Sequence, residues 1–364
     1  MICEAIPHSI NPTRAERLQL RLAQAKRAFT TRHVDLATAE RLVRSGRVPV
    51  AGDVVLARVT AIGQHARIEN IHGRRGQLYV GDEIIVAYGN RYAPDQFEAF
   101  VPTDLEECDL VAGGGVASRM TRKHAGMKNP TKIEVIGLLA GESGQTINLK
   151  DFAVQADAQP LRPTRVIAVV GSSMNAGKTT TAGGLVHGLT RAGFRVGAAK
   201  ITGTGSGGDL WTMRDAGAIE AIDFTDAGHA STFCVDSDGL ADICTGLLDK
   251  LARSGADIAV VEIADGLLQP ETAALVEMAQ AQGWFDGFVF AAADAMGSAF
   301  GANWLAQRGI VPLALSGLVS ASPLAAGEAA RTCALPVATL AELRDPVAVT
   351  KIVFRQDMLV EAAA

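Results

Sequence analysis

The densest chemistry in this 364-residue chain lies in "RVIAVVGSSMNAGKTTTAGG", residues 165–184. An apolar run ends at Gly171, a small polar loop follows, and Gly177-Lys178-Thr179 opens a segment of helical character. Strand, glycine-bearing loop and helix in that order let main-chain N–H groups converge on phosphate oxygens, and the helix N-terminus adds partial positive charge. Lys178 would reach the β- and γ-phosphates of a nucleotide, and the Thr179 hydroxyl would ligate Mg²⁺. The expected nucleotide-binding set is Gly171, Ser172, Ser173, Asn175, Ala176, Gly177, Lys178, Thr179 and Thr180. The spacing is longer than usual. Five residues separate Gly171 from Gly177 where four are common, and Ser172 stands where the first glycine would fall. Gly183 and Gly184 keep the helix bare where a bulky residue would push it off the sheet, at a cost in helix propensity.

A second feature is Glu262, at the end of the apolar run "IAVVE". If that run is a parallel strand, its carboxylate arrives at the same sheet edge as Lys178. Ligands gather at that edge in open α/β sheets, and the partner of Glu262 there is Mg²⁺ or a lysine. "DFTDAGHAST" (223–232) groups Asp223, Asp226, His229, Ser231 and Thr232 at no metal-ligand spacing, and reads as a structural turn or a substrate contact. Asp294 ends another apolar run and could face the same pocket. His65, His72 and His124 show no zinc spacing.

These residues need a scaffold. From residue 163 onward, continuous apolar runs alternate with helical segments, which implies a parallel sheet covered on both faces. The P-loop unit is expected over 163–350, after a proline-containing linker, "DAQPLRPT". Residues 47–156 are different. "GDVVLARVTAI", "ARIENI", "QLYVGDEIIVAYG" and "TKIEVIGLLA" are short β-type runs bounded by turn residues, and predict a smaller, barrel-like β-rich domain. Inside it, "GNRYAPDQFEAFVP" and "VAGGGVASRMTRKHAGMKNP" read as long irregular loops, the second carrying Arg119, Arg122, Lys123, His124 and Lys128; they could close over an acceptor, with Arg91, Arg119 or Lys123 binding an anionic group there. Residues 1–46 read as N-terminal helices, one starting at Asn11 and Pro12, a second from Asp35 to Gly46.

The longer loop spacing, G-x-x-x-x-x-G-K-T, resembles that of the dethiobiotin synthetase family and the cobyrinic acid a,c-diamide synthases. "GFRVGAAKITGTG" (193–205) is similar to that group's second strand, and "VVEIADGLLQP" (260–270) to its V-V-E-G-A-G-G-L segment. "RDAGA" also resembles the molybdopterin-guanine dinucleotide biosynthesis protein B family. The resemblance covers about residues 163–320. It implies that Lys200 and Thr204 face an acceptor substrate, that Glu262 and Asp209 lie at Mg²⁺ together with Thr179, and that Lys178, Lys200 and Thr204 carry the chemistry. The implied reaction moves a γ-phosphoryl group from ATP onto a carboxylate or carbamate. Ser320 stands where such synthetases often have an asparagine that reads adenine, so GTP stays open. Ala264 and Asp265 replace two small residues of the acidic segment, and dethiobiotin synthetases have nothing like residues 1–160.

Composition bounds the partners. Apolar residues make up 48% and charged residues 20%, which suits a globular chain with a real core. A net charge of −5 does not suggest nucleic acid or an anionic membrane. No apolar run is long enough to span a bilayer, and the start of the chain lacks a secretory pattern. Five scattered cysteines, including Cys3, read as reduced thiols in a cytoplasmic protein. The expectation is therefore a small-molecule acceptor, with a homodimer by analogy. The alternative is a nucleotide-hydrolysing maturation or switch protein whose front domain docks a partner.

Overall fold

The computed structural model describes residues 13–154 and 156–355. Asn11, Pro12 and Cys3 lie outside the described residues. Helix α1 (Arg14–Gln24) begins at a capping box in which Thr13 and Glu16 satisfy each other's main-chain N–H. Leu18 and Leu22 are buried, while Leu20, on the opposite side of the helix, is exposed.

The β-rich part contains β1 (Lys26–Arg27), β2 (Arg41–Val43), β3 (Val54–Ala61), β4 (Arg67–Glu69), β5 (Arg75–Gln77), β6 (Glu83–Tyr88), β7 (Arg91–Tyr92), β8 (Phe97–Phe100), β9 (Cys108–Ala112), β10 (Val116–Lys123) and β11 (Thr131–Ala140). It closes on itself. The ring runs β6-β3-β11-β9-β10, and β10 pairs back onto β6 in parallel through Val116↔Ala87 and Ala117↔Tyr88. Alternation explains why these strands read as nearly continuous apolar runs. Val55, Ala57, Ile84, Val86, Tyr88, Leu110, Ala117 and Ile133, drawn from all five ring strands, pack in one cluster. The alternate residues Val54, Leu56, Ile85 and Ala87 pack in another, covered by Leu18 and Leu22 of α1.

Two expectations fail here. The segment from Asp35 to Gly46 is not a helix. The Asp35 side chain does cap Ala37 as a helix start would, but only a 3₁₀ turn (Leu36–Thr38) follows, and β2 then pairs with β11. The open edge of β11 offers a ladder that a weak local helix preference does not outweigh. The two "loops" are hairpins. Arg91–Tyr92 pairs with Phe97–Phe100, and the three glycines 113–115 form a tight turn between β9 and β10, with Gly115 at φ 102°.

The C-terminal part is a six-stranded sheet of β12 (Arg165–Gly171), β13 (Val196–Lys200), β14 (Glu220–Asp223), β15 (Ile258–Glu262), β16 (Gly287–Ala291) and β17 (Ala314–Ser316). Its order is β14-β13-β15-β12-β16-β17, and every pairing is parallel. One face is covered by α2 (Lys178–Arg191), α3 (Gly208–Asp215), α8 (Leu340–Arg344) and α9 (Pro346–Val353). The other is covered by α4 (Ser237–Arg253), α5 (Pro270–Gln282), α6 (Ala295–Ala306) and α7 (Pro323–Cys333). Residues of β12 alternate between the two cores, Ile167 and Val169 on one side, Val166, Ala168 and Val170 on the other. Gly184 is bare for a different reason from the one expected. A Cβ there would lie 3.0–3.1 Å from Leu340 and Leu343, so the close neighbour is α8 rather than the sheet.

The two parts pack through specific contacts. Arg32 reaches across to Asp223, Thr225 and Asp226. A Cβ on Gly114 would meet the main-chain oxygen of Gly205 at 2.0 Å, so the β9–β10 turn and the loop after β13 touch backbone to backbone. No helix among the described residues is long and apolar enough to cross a membrane.

Candidate functional site

Parallel pairing puts the carboxyl ends of β12, β13 and β15 side by side. Lys200 and Glu262 are direct register partners, and Glu262 also pairs with Val169 near the end of β12. The loop from Gly171 to Gly177 leaves this edge and turns into α2. Asn175 (φ 62°) and Gly177 (φ 98°) both adopt left-handed conformations, which aim successive N–H groups inward. The N–H groups of residues 173–177 donate to no protein acceptor among the described residues. Gly171 is required for space, because a Cβ there would lie 2.8 Å from the Lys178 side chain. This strand, loop and helix, in a parallel sheet of this order, is a P-loop NTPase fold.

Lys178 is buried, and its ammonium donates to the main-chain oxygens of Ser173 (2.8 Å) and Asp265 (2.6 Å). Burial pulls its pKa below the usual lysine range, with Glu262 and Asp265 opposing. Thr179 Oγ1 lies 3.0 Å from Asp209 Oδ1 and 3.1 Å from Glu262 Oε1. A hydroxyl has one proton, so one of these approaches is oxygen to oxygen unless the carboxyl itself carries a proton. Of the two carboxyls, Glu262 is the more readily protonated. Burial pushes it up to about 7, with Lys200 opposing and Asp209 reinforcing. Its second oxygen, Oε2, is buried with no hydrogen-bond partner. Lys200 forms an ion pair with Asp209 Oδ2. Burial works against the charged form of Lys200, but the Asp209 and Glu262 charges outweigh it and hold its pKa above the usual range. Burial likewise works against the charged form of Asp209, and Lys200 overcomes it, leaving the pKa low.

This donor set suits a hard divalent cation. It offers a hydroxyl, two carboxylates and one carboxylate oxygen otherwise unsatisfied. Among the described residues no group of three or more His, Cys, Asp or Glu could hold a metal unaided. A cation here would complete its shell from substrate phosphates and water, as Mg²⁺ does in nucleotide sites.

The site opens into a cleft of about 820 Å³ between the two parts of the molecule. One wall carries Met174, Asn175, Gly177, Lys178, Thr179, Thr180, Lys200, Thr204, Asp209, Glu262 and Asp265. Gly171, Ser172, Ser173 and Ala176 support the loop from behind. Ser172 donates its N–H to Ala291, and Ala176 accepts from Leu318. The other wall belongs to the barrel and carries His65, Arg67, Glu69, Arg75, Arg91 and Gln96.

Several functional residues carry no signal in the sequence pattern. Glu69, read simply as part of a β run, is buried and accepts from Ser206 Oγ (3.2 Å), Gly207 N (3.1 Å) and Trp211 Nε1 (3.2 Å), fixing the start of α3 and with it Asp209. Asp265 sits at φ 61° and presents its main-chain oxygen to Lys178; an aspartate tolerates that conformation better than most residues. "DFTDAGHAST" is a structural turn anchored by Arg32, and Asp294 caps α6 through Gly297 N. Arg119 pairs with Asp104 and Arg122 with Glu98, and Lys123 bonds Met127 O; none of the three lines the cleft.

No family model matches the chain, and no curated protein matches it. Among solved structures, it is similar to the signal recognition particle 54 kDa protein of Aeropyrum pernix K1 in complex with GDP. The identity is 20% and the TM-score 0.36, over 59% of this chain and 53% of that one. The signal recognition particle receptor FtsY of Elizabethkingia anophelis in complex with GDP gives 16% and 0.36, over 57% of this chain and 69% of that one. This chain thus spans about half the length of the first. At that score the likeness says nothing about base or reaction.

Proposed function

We propose that the protein is a Mg²⁺-dependent enzyme that moves the γ-phosphoryl group of ATP or GTP onto the carboxylate or carbamate of a small metabolite, in the manner of the synthetases whose motifs it resembles. The observation that carries this reading is the shared cleft. The phosphate loop, Lys200 and Thr204 open into one space of about 820 Å³, with a second wall supplied by the barrel. Hydrolysis needs room for a triphosphate and a water. This cleft has room for a nucleotide and a second organic reactant.

An acceptor oxygen attacks the γ-phosphorus, and the bond to the β–γ bridging oxygen breaks with its electron pair, releasing the nucleoside diphosphate. Catalysis of such a step is mostly positioning and charge neutralisation. Loop N–H groups and Lys178 hold the phosphates. Lys200 stays protonated beside Asp209 and Glu262 and neutralises the approaching acid. Thr179, Asp209 and Glu262 would hold Mg²⁺, which would supply positive charge to offset that of the phosphates.

The test is nucleoside diphosphate release by purified protein from ATP and from GTP, against a panel of small acids and amines. Stimulation by a small acid is expected, lost in Lys200→Met, while Lys178→Ala loses nucleotide binding itself. A full panel without stimulation, or a Lys178→Ala variant with unchanged turnover, overturns the reading. One contact favours the second reading, a nucleotide-hydrolysing switch or maturation factor. Asn175 Nδ2 at the loop tip donates to Asp95 Oδ2 of the barrel at 3.1 Å, so a rearranged loop is felt in the front domain. Stimulation by a partner protein alone would favour it.

A further inference from the structure

The barrel wall of the cleft holds a buried cation outside any direct ion pair among the described residues. Arg91, at the start of β7, is 5% exposed and lines the cleft. One terminal nitrogen lies 3.2 Å from His65 Nε2, and the other donates to Gln96 Oε1 at 2.9 Å. Its Nε is buried with no partner. A guanidinium carries five N–H donors, so most remain available. Among the described residues Arg91 forms no ion pair. Asp95, close in sequence, gives one oxygen to Asn175 and keeps the other buried without a hydrogen-bond partner, and Asp265 stands on the facing wall beside Lys178; both carboxylates act on Arg91 through space rather than by direct pairing. Buried charges are ordinarily paired, which makes this one informative.

His65 and Gln96 orient the guanidinium, while the Asp95 and Asp265 charges offset its burial only in part. Burial lowers its pKa to about 10, which leaves it charged at neutral pH. Burial, then the Arg91 charge, lowers His65 to about 4, so its ring is neutral and can only accept from Arg91 at Nε2. Phe97 packs beneath, 5.8 Å from ring centre to guanidinium carbon. Arg67 and Arg75 are exposed on the same wall and add positive potential at the mouth.

We propose that Arg91, held by His65 and Gln96, is an oxyanion subsite for a carboxylate of the acceptor other than the one that is phosphorylated, so that the acceptor is a dicarboxylate. This rests on reading the cleft as a phosphoryl-transfer site, in which Lys200 serves the reacting group and Arg91, on the opposite wall, serves the far end. The planar fork matches a carboxylate in a way a lysine does not.

The experiment is calorimetric titration of the full chain, with Mg²⁺ and a non-hydrolysable ATP or GTP analogue present, using succinate and glutarate against butyrate. The dicarboxylates are expected to bind at least about tenfold more tightly than butyrate. Arg91→Met removes that preference and leaves nucleotide affinity within about twofold; Arg91→Lys, which keeps charge and bulk, recovers only part of it. If Arg91→Met does not fold, the wild-type preference together with the Arg91→Lys loss decides. No dicarboxylate preference in the wild type overturns the proposal. So does an Arg91→Met variant that loses nucleotide affinity while carboxylate binding persists, which would assign the guanidinium to the terminal phosphate. Binding is read without turnover. Arg91-dependent dicarboxylate binding with no stimulated diphosphate release would sink the phosphoryl-transfer reading and leave the subsite standing.

Discussion

Replacing Arg32 by methionine should unfasten the two halves of the molecule. Its guanidinium lies 2.6 Å from Asp226 Oδ2 and 3.2 Å from Asp223 Oδ1, and also bonds the Thr225 hydroxyl. The side chains are 10%, 9% and 2% exposed for Arg32, Asp226 and Asp223, so solvent screens little. Removing one partner of a buried ion pair costs about 3–5 kcal/mol, because the other charge stays buried without compensation. Arg32→Met leaves two buried carboxylates without their guanidinium, held by hydrogen bonds from Asp223 N, Thr225 N and Thr225 Oγ1 and by the half-exposed His33, 2.6 Å from Asp226 Oδ1. A loss of about 4 kcal/mol at pH 8 follows, or roughly 8–16 °C in melting temperature at 2–4 °C per kcal/mol. The sign with pH is set by the carboxylates. Burial already raises Asp223. For Asp226 burial acts the same way, but His33 and Arg32 outweigh it and hold its pKa low. Without Arg32 both move up, and the folded variant takes up protons that the unfolded chain gives off. The penalty is therefore full above the folded pKa values and shrinks as pH falls. Urea unfolding followed by tryptophan fluorescence at pH 8 and pH 5 reads both effects. Adding Asp226→Asn to the variant should restore part of the loss. A deficit below about 1 kcal/mol at pH 8, or one that widens in acid, would refute the reasoning.

Three further outcomes are expected. Folding lifts Glu262 from 4.5 to about 7, mainly by burial, so the native state holds an extra proton in that window and loses stability as pH rises through it. Glu262→Gln should stabilise the nucleotide-free protein at pH 8 by up to about 3 kcal/mol, with no gain at pH 4, while Mg²⁺-dependent nucleotide binding drops at least about tenfold in titration. Glu69→Ala leaves Gly207 N, Trp211 Nε1 and Ser206 Oγ without their acceptor. At about 1–3 kcal/mol per stranded buried donor, thermal unfolding should register about 3 kcal/mol, and Mg²⁺ affinity should fall as α3 loosens around Asp209. Gly266→Ala places a methyl 2.5 Å from Ser172 O and 2.9 Å from Ser173 Cα. It should weaken nucleotide binding at least about tenfold at a stability cost of roughly 1–3 kcal/mol, read by titration and melting in parallel.

The fold was most legible where local pattern and tertiary demand agree. β12 is apolar at every interior position because it is buried on both faces, and its loop and helix follow in the order that phosphate binding requires. The barrel could be anticipated from short β runs, but its closure through Val116↔Ala87 could not, since nothing in either strand names the other. The misread stretches failed for different reasons. "DLATAERLV" has helical spacing, yet it contains a strand whose partner, β11, lies about a hundred residues on, whereas "VAGGGVASRMTRKH" is a local hairpin whose three glycines form the turn and, by composition, suggest an irregular loop.

In the site, the sequence alone determined the phosphate loop, with Lys178 and Thr179 at its helix start, because a cradle of main-chain N–H groups is built from contiguous residues and local dihedral angles. Tertiary structure alone decided that Lys200 faces Asp209, that Glu262 keeps an unsatisfied oxygen, that Glu69 fastens α3, and that Arg91 lines the cleft outside any direct ion pair among the described residues. Those are matters of burial and distance between residues nine to more than a hundred positions apart, and one-dimensional spacing carries no measure of either.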